Sequence, residues 1–399
     1  MRILICAQQA PLPPTNGFRL QVGALLAELR RQHEVRVVAL TFPEQSFDDA
    51  EADGMRLVPA TQGRALGLRE FGARLRGAVR QELDRFRPDV VHVAGSPLAT
   101  LGPELVERAA LLAPLDAAHL NVDAQVLCAG GTRRWLLRRE AQLVRRFEAT
   151  EYRWFRRVVV VSRADGAALT GLDPSLRPVV IPNGVDAAAF APDARAICDR
   201  GRVIFAGVMH AAPNVTAAEL LARDVMPRVR AEIPGAQLVI AGRDPAPAVR
   251  RLSRLPGVEV VGEVEDMRAW LTSSSVCACP TISGTGIKNK LLEGMASGVP
   301  CVATPRALRG LAAVPGRHLL VGEDRVQLAA HVAFLLRDRH AAQAIGAEGR
   351  AYVISNHSWR DVADAYVRVY ESLLAEGRPR GPSASCAATA PRRRRRGRL

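Results

Sequence analysis

Lys288 and Lys290 are the only lysines in a chain of 399 residues; the rest of its 55 lysine and arginine side chains are arginine. They stand in the stretch SGTGIKNKLLEGMASG, residues 283–298, behind Gly284 and Gly286 and ahead of Glu293. The apolar run Val276–Cys279 is stopped by Pro280, and the segment after the glycines reads as a helix that Gly298 ends in a left-handed position. Glycines at that place leave the outward-pointing amides of a helix N-terminus open to a phosphate. Lysine suits it because an ammonium is a compact, mobile point charge that can follow a diphosphate, whereas the arginine fork is bulkier and more directional. Glu293, three residues past Lys290, offers two acceptor oxygens for the paired hydroxyls of a ribose. A helix salt bridge to Lys290 accounts for the same spacing equally well.

The elements that must hold this stretch recur in two series. Strands are predicted over 2–7, 34–40, 55–59, 89–93 and 157–161, with helices over 18–32, 67–87 and 133–156. A second series places strands over 202–206, 237–241, 258–261, 276–279 and 299–304, with helices over 214–232, 266–272, 288–297, 324–337 and 340–354. Strands that are apolar throughout and separated by helices imply parallel sheets covered on both faces. The fold class is therefore α/β, as two tandem Rossmann-like, doubly wound domains facing a cleft. The segment LRPVVIPNGVDAAAFAP, 176–192, punctuated by three prolines and an Asn-Gly turn, reads as the connection between them. The domains are expected at 1–181 and 182–358, followed by a helix at 359–377 packing back on the first and a disordered tail at 378–399. In such sheets ligands bind beyond the carboxyl ends of the strands, which puts the lysine stretch at the cleft.

Bulk properties narrow the class. The tail holds eight arginines and no acid, and setting those eight aside lowers the net charge from +15 to +7. Its run of five arginines suits nucleic acid or an anionic surface, but a solvated tail is the favoured reading and a nucleic-acid partner is not expected. Seven irregularly spaced cysteines argue against a disulfide framework, and no His/Cys cluster has zinc-ligand spacing, so no metal is expected. No apolar run approaches membrane-spanning length, and the N-terminus reads as a strand rather than a secretion signal, implying a cytoplasmic protein. A nicotinamide dehydrogenase fails on spacing: QQAPLPPTNG after the first strand lacks G-x-G-x-x-G, and Asn289 stands at the third glycine position of 284–289. No P-loop is present.

GTGIKNKLLEGMASGVPCVAT, taken with VVIPNGVDAAAF, RVIFAGVMHAAPNVTAAELLARDVMPRV, AQLVIAGRDP and GVEVVGEVEDMRAWL, strongly resembles the retaining, nucleotide-sugar-dependent glycosyltransferases of the GT-B fold, group 1 or family 4. The likeness runs across about residues 155–375, more loosely before that, and is closest to a bacterial exopolysaccharide-associated subgroup. The resemblance implies an acceptor-binding first domain and a nucleotide-sugar-binding second one. Glu293 would bind the donor ribose. Lys290, with Lys288, and the backbone around Gly284, Thr285 and Gly286 would neutralise the diphosphate, and the segment 262–266, with Glu263, would flank the base. Asn16 and Gly17, in PPTNGF, would face the phosphates or the acceptor; a turn capping the following helix is the plain alternative. No cofactor or metal beyond the donor is implied. The implied function is transfer of a hexose, with retention, to a hydroxyl of a glycan, lipid-linked or small-molecule acceptor in glycan or polysaccharide biosynthesis. A non-catalytic sugar-nucleotide-binding scaffold and a natural-product glycosyltransferase are the alternatives.

Two positions depart from the family pattern. Where the wider family has a first glutamate, this chain has Thr285, and the basic pair after F-x-G is absent from FAGVMHAAPN, which puts the phosphate burden on Lys288 and Lys290. On the acceptor side the family places a histidine or aspartate within LDAAHLNVDAQV, making His119 the first candidate, with Asp116 and Asp123 behind it; a structural histidine is the plain alternative. The segment 133–157 carries nine arginines against three acids with aromatic and aliphatic residues interleaved. It suits packing on the first domain or lying on an anionic leaflet, peripheral at the inner face of the plasma membrane.

Overall fold

The computed structural model describes residues 1–13, 16–42, 54–60, 68–192, 199–282 and 287–377. The first sheet contains β1 (Arg2–Ala7), β2 (Glu34–Thr41), β3 (Met55–Pro59), β4 (Val90–Ala94), β5 (Ala110–Leu115), β6 (Arg157–Val160) and β7 (Pro178–Val180), in the order β3-β2-β1-β4-β5-β6-β7. The second contains β8 (Asp199–Ala206), β9 (Gln237–Ala241), β10 (Val258–Gly262), β11 (Ser274–Cys279), β12 (Cys301–Ala303) and β13 (Leu320–Val321), in the order β10-β9-β8-β11-β12-β13. The strand pairings within both sheets are parallel. Each order reverses beside its first strand, between β1 and β4 and between β8 and β11, the position where such sheets open a crevice.

The helices of the first half are α1 (Gly17–Leu29), α2 (Leu68–Phe86), α3 (Gly102–Leu105), α4 (Ala118–Cys128), α5 (Gly131–Glu151) and α6 (Arg163–Leu172). Those of the second are α7 (Ala212–Leu220), α8 (Met226–Glu232), α9 (Pro247–Arg250), α10 (Met267–Thr272), α11 (Asn289–Ala296), α12 (Arg325–Arg337) and α13 (Arg339–Asn356), and the last is α14 (Trp359–Ala375). Continuous apolar strands are accounted for by burial on both sides. In β1, Ile3, Ile5 and Ala7 enter the core shared with α1 and α14, while Leu4 and Cys6 enter the one beneath α2. In β8, Val203 and Phe205 face α7, α8 and α12, while Ile204 faces α11 and α13. At roughly 1.5–3 kcal/mol for each large aliphatic side chain, this two-sided burial is the main driving force for the fold.

The structure adds elements that the sequence pattern did not reveal. β5 reads ALLAPL, with alanines in place of β-branched residues and Pro114 inside it. Proline cannot donate to a ladder. The β5–β6 register accordingly slips between Leu112 and Leu115, and Leu115 sits at φ +79°. β7 and β13, with three and two residues, are too short to show a period. α4 and α6 fall where no helix was expected.

The two sheets are joined at a double crossing. The connection leaves β7, and Val185 bridges Ser358, just before α14. His357 Nδ1 donates to the Asn183 carbonyl at 2.8 Å, and the Tyr352 hydroxyl lies 3.1 Å from His357 Nε2. Trp359 packs so closely on Gly184 that a Cβ there would lie 2.7 Å from the indole. α14 then runs back over the first sheet, burying Trp359, Tyr366, Tyr370 and Leu373 with α1.

Candidate active site

α11 begins where the two sheets face one another. Its first residue, Asn289, accepts from Asn183 Nδ2 at 3.0 Å, and a Cβ on Gly17, the first residue of α1, would stand 3.6 Å from Asn289 Nδ2. Two helix N-termini, α1 from one half and α11 from the other, thus meet at the crevice, each contributing unsatisfied amides and a partial positive charge.

Lys290 turns towards the end of β8. Its Nζ donates to Asn214 Oδ1 at 2.6 Å and lies 4.5 Å from the Phe205 ring centroid, while Asn214 Nδ2 donates to the Val208 carbonyl at 2.9 Å. Gly207, at φ +154°, leaves room for it: a Cβ there would lie 2.6 Å from Lys290 Nζ. Lys288 caps the start of α11 without a side-chain cap bond. Burial pushes both ammonium groups below the usual lysine range, with the Cys279 thiol acting against it in each case. A diphosphate would relieve that penalty by supplying the missing counter-charge.

Glu293 is half-buried, and burial pushes its carboxyl up while Lys290 pulls it back. No Lys290–Glu293 ion pair forms among the described residues; Lys290 bonds Asn214 instead. Glu293 lines a cavity of about 540 Å³ together with Asn289, Asp186 and Phe190 of the connection, and Leu20 and Ala24 of α1. Asn16 caps α1, its Oδ1 accepting from the Arg19 amide at 2.9 Å and its Nδ2 donating to Gln9. The side chain of Asn16 is therefore engaged, and Gly17 is the member of that pair that meets the second half. Glu263 is exposed on the turn after β10, two strands from β8. Gly284, Thr285 and Gly286 lie outside the described residues.

Opposite α11, the turn from β5 to α4 presents Asp116. The left-handed Leu115 precedes it, and Asp165 Oδ1 accepts from the Ala117 amide at 3.1 Å, so the turn is pinned on both sides. Asn121 Nδ2 donates to Asp116 Oδ2 at 2.8 Å. Burial pushes the Asp116 carboxyl up to about 6, with Asp165 and Glu148 adding to the rise and the Asn121 bond and Lys288 opposing it. Asp116 in turn acts to hold the Lys288 ammonium charged, so the two groups influence one another across the cleft. His119, in the first turn of α4, is buried, with Nδ1 2.5 Å from Glu148 Oε2. Asp123 is held away by Arg145.

Asn214 and Glu148 escaped the sequence reading. Asn214 stands where a basic residue was missed, and its role as an acceptor for Lys290 depends on a contact 76 residues away. Glu148 carried a visible signal, since it continues the buried stripe Leu137, Ala141 and Val144 of α5 at helical spacing.

Comparison with known proteins supplies what geometry leaves open. Residues 15–189 match the model described as Glycosyltransferase Family 4, and residues 200–338 the model described as Glycosyl transferases group 1. Each half of the chain thus matches a glycosyltransferase model, the second half that of group 1. A phosphatidyl-myo-inositol mannosyltransferase of Mycobacterium leprae is 25% identical to this glycosyltransferase over 397 residues, covering 94% of the chain and 98% of the relative. Sucrose-phosphate synthase from Thermosynechococcus elongatus superposes with a TM-score of 0.76 at 18% identity, over 94% of this chain and all of that one. Anabaena Alr3699/HepE, solved with UDP and glucose, gives 0.69 at 14% identity, over 93% and all of the respective chains. At such identities the structural likenesses carry the fold, which is that of GT-B glycosyltransferases: two parallel-sheet, Rossmann-like halves.

Proposed function

We propose that this glycosyltransferase transfers a hexose from a nucleoside-diphosphate sugar to a hydroxyl of a glycan, with retention of configuration. The observation that carries the reading is the pair of half-buried lysines at the start of α11, with Lys290 held by Asn214 beside the end of β8 and both ammonium groups pushed down by burial. In the transfer, the bond from the anomeric carbon to the diphosphate breaks with its electron pair going to the phosphate oxygen. The acceptor oxygen bonds to the same carbon from the same face, and its proton passes to the departing phosphate. Lys288, Lys290 and the α11 amides stabilise the charge that builds there, so the site works without a metal. Glu293 accepts the ribose hydroxyls, the backbone around 284–286 cradles the phosphates, Gly17 closes over them, and Glu263 lies by the base.

The acceptor is a lipid-linked glycan. The mycobacterial relative is named for a phosphatidyl-inositol acceptor. α5 exposes Trp135, Leu136 and Leu143, each more than half accessible, among arginines. Among the described residues no helix is long and apolar enough to cross a membrane. The same helix placed at an anionic leaflet would bring the first domain to the inner face of the plasma membrane, with the active site on the cytoplasmic side.

The test is nucleoside diphosphate release from a panel of donors, with and without vesicles carrying lipid-linked glycans. Acceptor-dependent release and a product of unchanged anomeric configuration are expected. Tight donor binding without turnover on any acceptor would instead identify a sugar-nucleotide-binding scaffold.

A further inference from the structure

We propose that Glu148 is a positioning residue that fixes the proton of His119 on Nδ1 and so presents Nε2 to the sugar being transferred. The inference rests on the assignment of His119 to the acceptor side of the transferase site.

The argument starts from a misplaced charge. α5 buries Leu137, Ala141, Val144, Phe147 and Glu148, and Glu148 is the one ionisable residue of the five. It occupies a position on the apolar stripe at which leucine or valine would be expected, and it is 0% exposed. Six arginines lie on the same helix, yet the ion pair made by Glu148 is with His119 of α4. A buried carboxylate without a close partner is strongly unfavourable, so its placement demands a compensating contact, and the 2.5 Å approach to Nδ1 supplies it. The second oxygen, Oε1, is buried with no hydrogen-bond partner among the described residues. A side chain kept for stability alone would be expected to satisfy both.

The bond has a chemical consequence. A carboxylate oxygen only accepts, so Nδ1 must carry the hydrogen, and Nε2 becomes the nitrogen that meets a ligand. His119 follows Asp116 by three residues, at the start of α4, and the Asp116 carboxyl is influenced by Lys288 of the second half. The carboxylate in contact with the imidazole is Glu148 of α5, and Glu148 and Asp165 of α6 both act on the Asp116 carboxyl of the β5–α4 turn. Lys288 stands across the cleft. In that surrounding, removal of the Glu148 charge alters how His119 engages the substrate while leaving the nucleotide contacts of the second half untouched.

The experiment compares Glu148→Gln, His119→Asn and the double variant in the full-length protein, measuring donor-dependent transfer and nucleoside diphosphate affinity. Glu148→Gln should lower kcat at least tenfold, with donor KM and nucleoside diphosphate affinity within twofold of the parent. In the His119→Asn background it should add less than a further twofold. Full kcat in Glu148→Gln, or losses that multiply in the double variant, would overturn the inference. Full kcat in His119→Asn would overturn the assignment of His119 itself and the inference with it. Nitrogen-15 NMR of the parent protein gives a readout independent of folding of any variant: His119 should bear its hydrogen on Nδ1, and an Nε2–H tautomer would refute the proposal.

Discussion

At the scale of single residues, the scarcity of lysine acquires a structural meaning. Lys290 is held by Asn214 and the Phe205 ring with no ion pair to an acid among the described residues, and the Lys288 charge is supported by Asp116 of the other half. Replacing both with alanine should reduce turnover by about a hundredfold or more, since one donor to the transition state is worth that much, while the circular dichroism spectrum stays native. Glu293→Gln should weaken nucleoside diphosphate binding in calorimetry without lowering the thermal midpoint. Asp116 gives a pH signature. Its carboxyl is pushed up to about 6, above its unfolded value, so the unfolded chain loses this proton first and stability falls as pH rises from 4 to 6. Asp116→Asn removes that cost, worth up to about 3 kcal/mol. The variant should melt higher than the parent at pH 7.5 and no higher at pH 4, and equal melting at both would contradict the burial argument. The lysine motif was legible because its composition is unusual within this chain. Asn214 was not, since an asparagine near a helix start reads as an ordinary cap.

Among the elements, β1, β3 and β9 have the bounds that their apolar runs predict. β5 was invisible because alanine and Pro114 erase the strand signature, although its irregular end is what presents Asp116. Without β5 the sequence could not place α4, and so His119 lay in an unassigned segment. The α4–α5 hairpin has its own small core of Val122, Leu137, Ala141 and Val144, while Leu127, Trp135, Leu136 and Leu143 face outward. Replacing Trp135, Leu136 and Leu143 together with serine should leave the melting curve unchanged and weaken sedimentation with anionic vesicles severalfold. Retained sedimentation would remove this face from the membrane contact.

For the molecule as a whole, two buried histidines tie the last helix into the fold. His92 Nδ1 lies 2.7 Å from the Tyr370 hydroxyl of α14, and burial pushes this imidazole down to about 3. His357, at the crossing, is also pushed down by burial, with its bond to the Asn183 carbonyl opposing. Both are neutral in the fold and take up a proton on unfolding below about pH 6.5, so stability present at neutral pH is lost as pH falls. The thermal midpoint should drop between pH 7 and pH 5, and His92→Leu should flatten that slope; an unaltered slope would exclude His92 as the cause. The tandem arrangement of two sheets was legible from the repeated pattern of strands and helices. The sequence reading expected a helix at 359–377 packing back on the first half, whereas the pairing of Ser358 with Val185 was not visible, since it joins residues more than 170 positions apart.

That return means the halves are tethered twice, by the connection through Val185 and by the segment through Ser358, lying side by side. A pair of adjacent tethers acts as a door on two pins: swinging about their common line is easy, and sliding or twisting is not. If the halves move apart to admit a ligand, two adjacent tethers would confine that motion to one arc, along which Gly17 would leave Asn289 and return to the same spot. A single protease cut in the connection would leave both leaves of the door hanging together by the other pin.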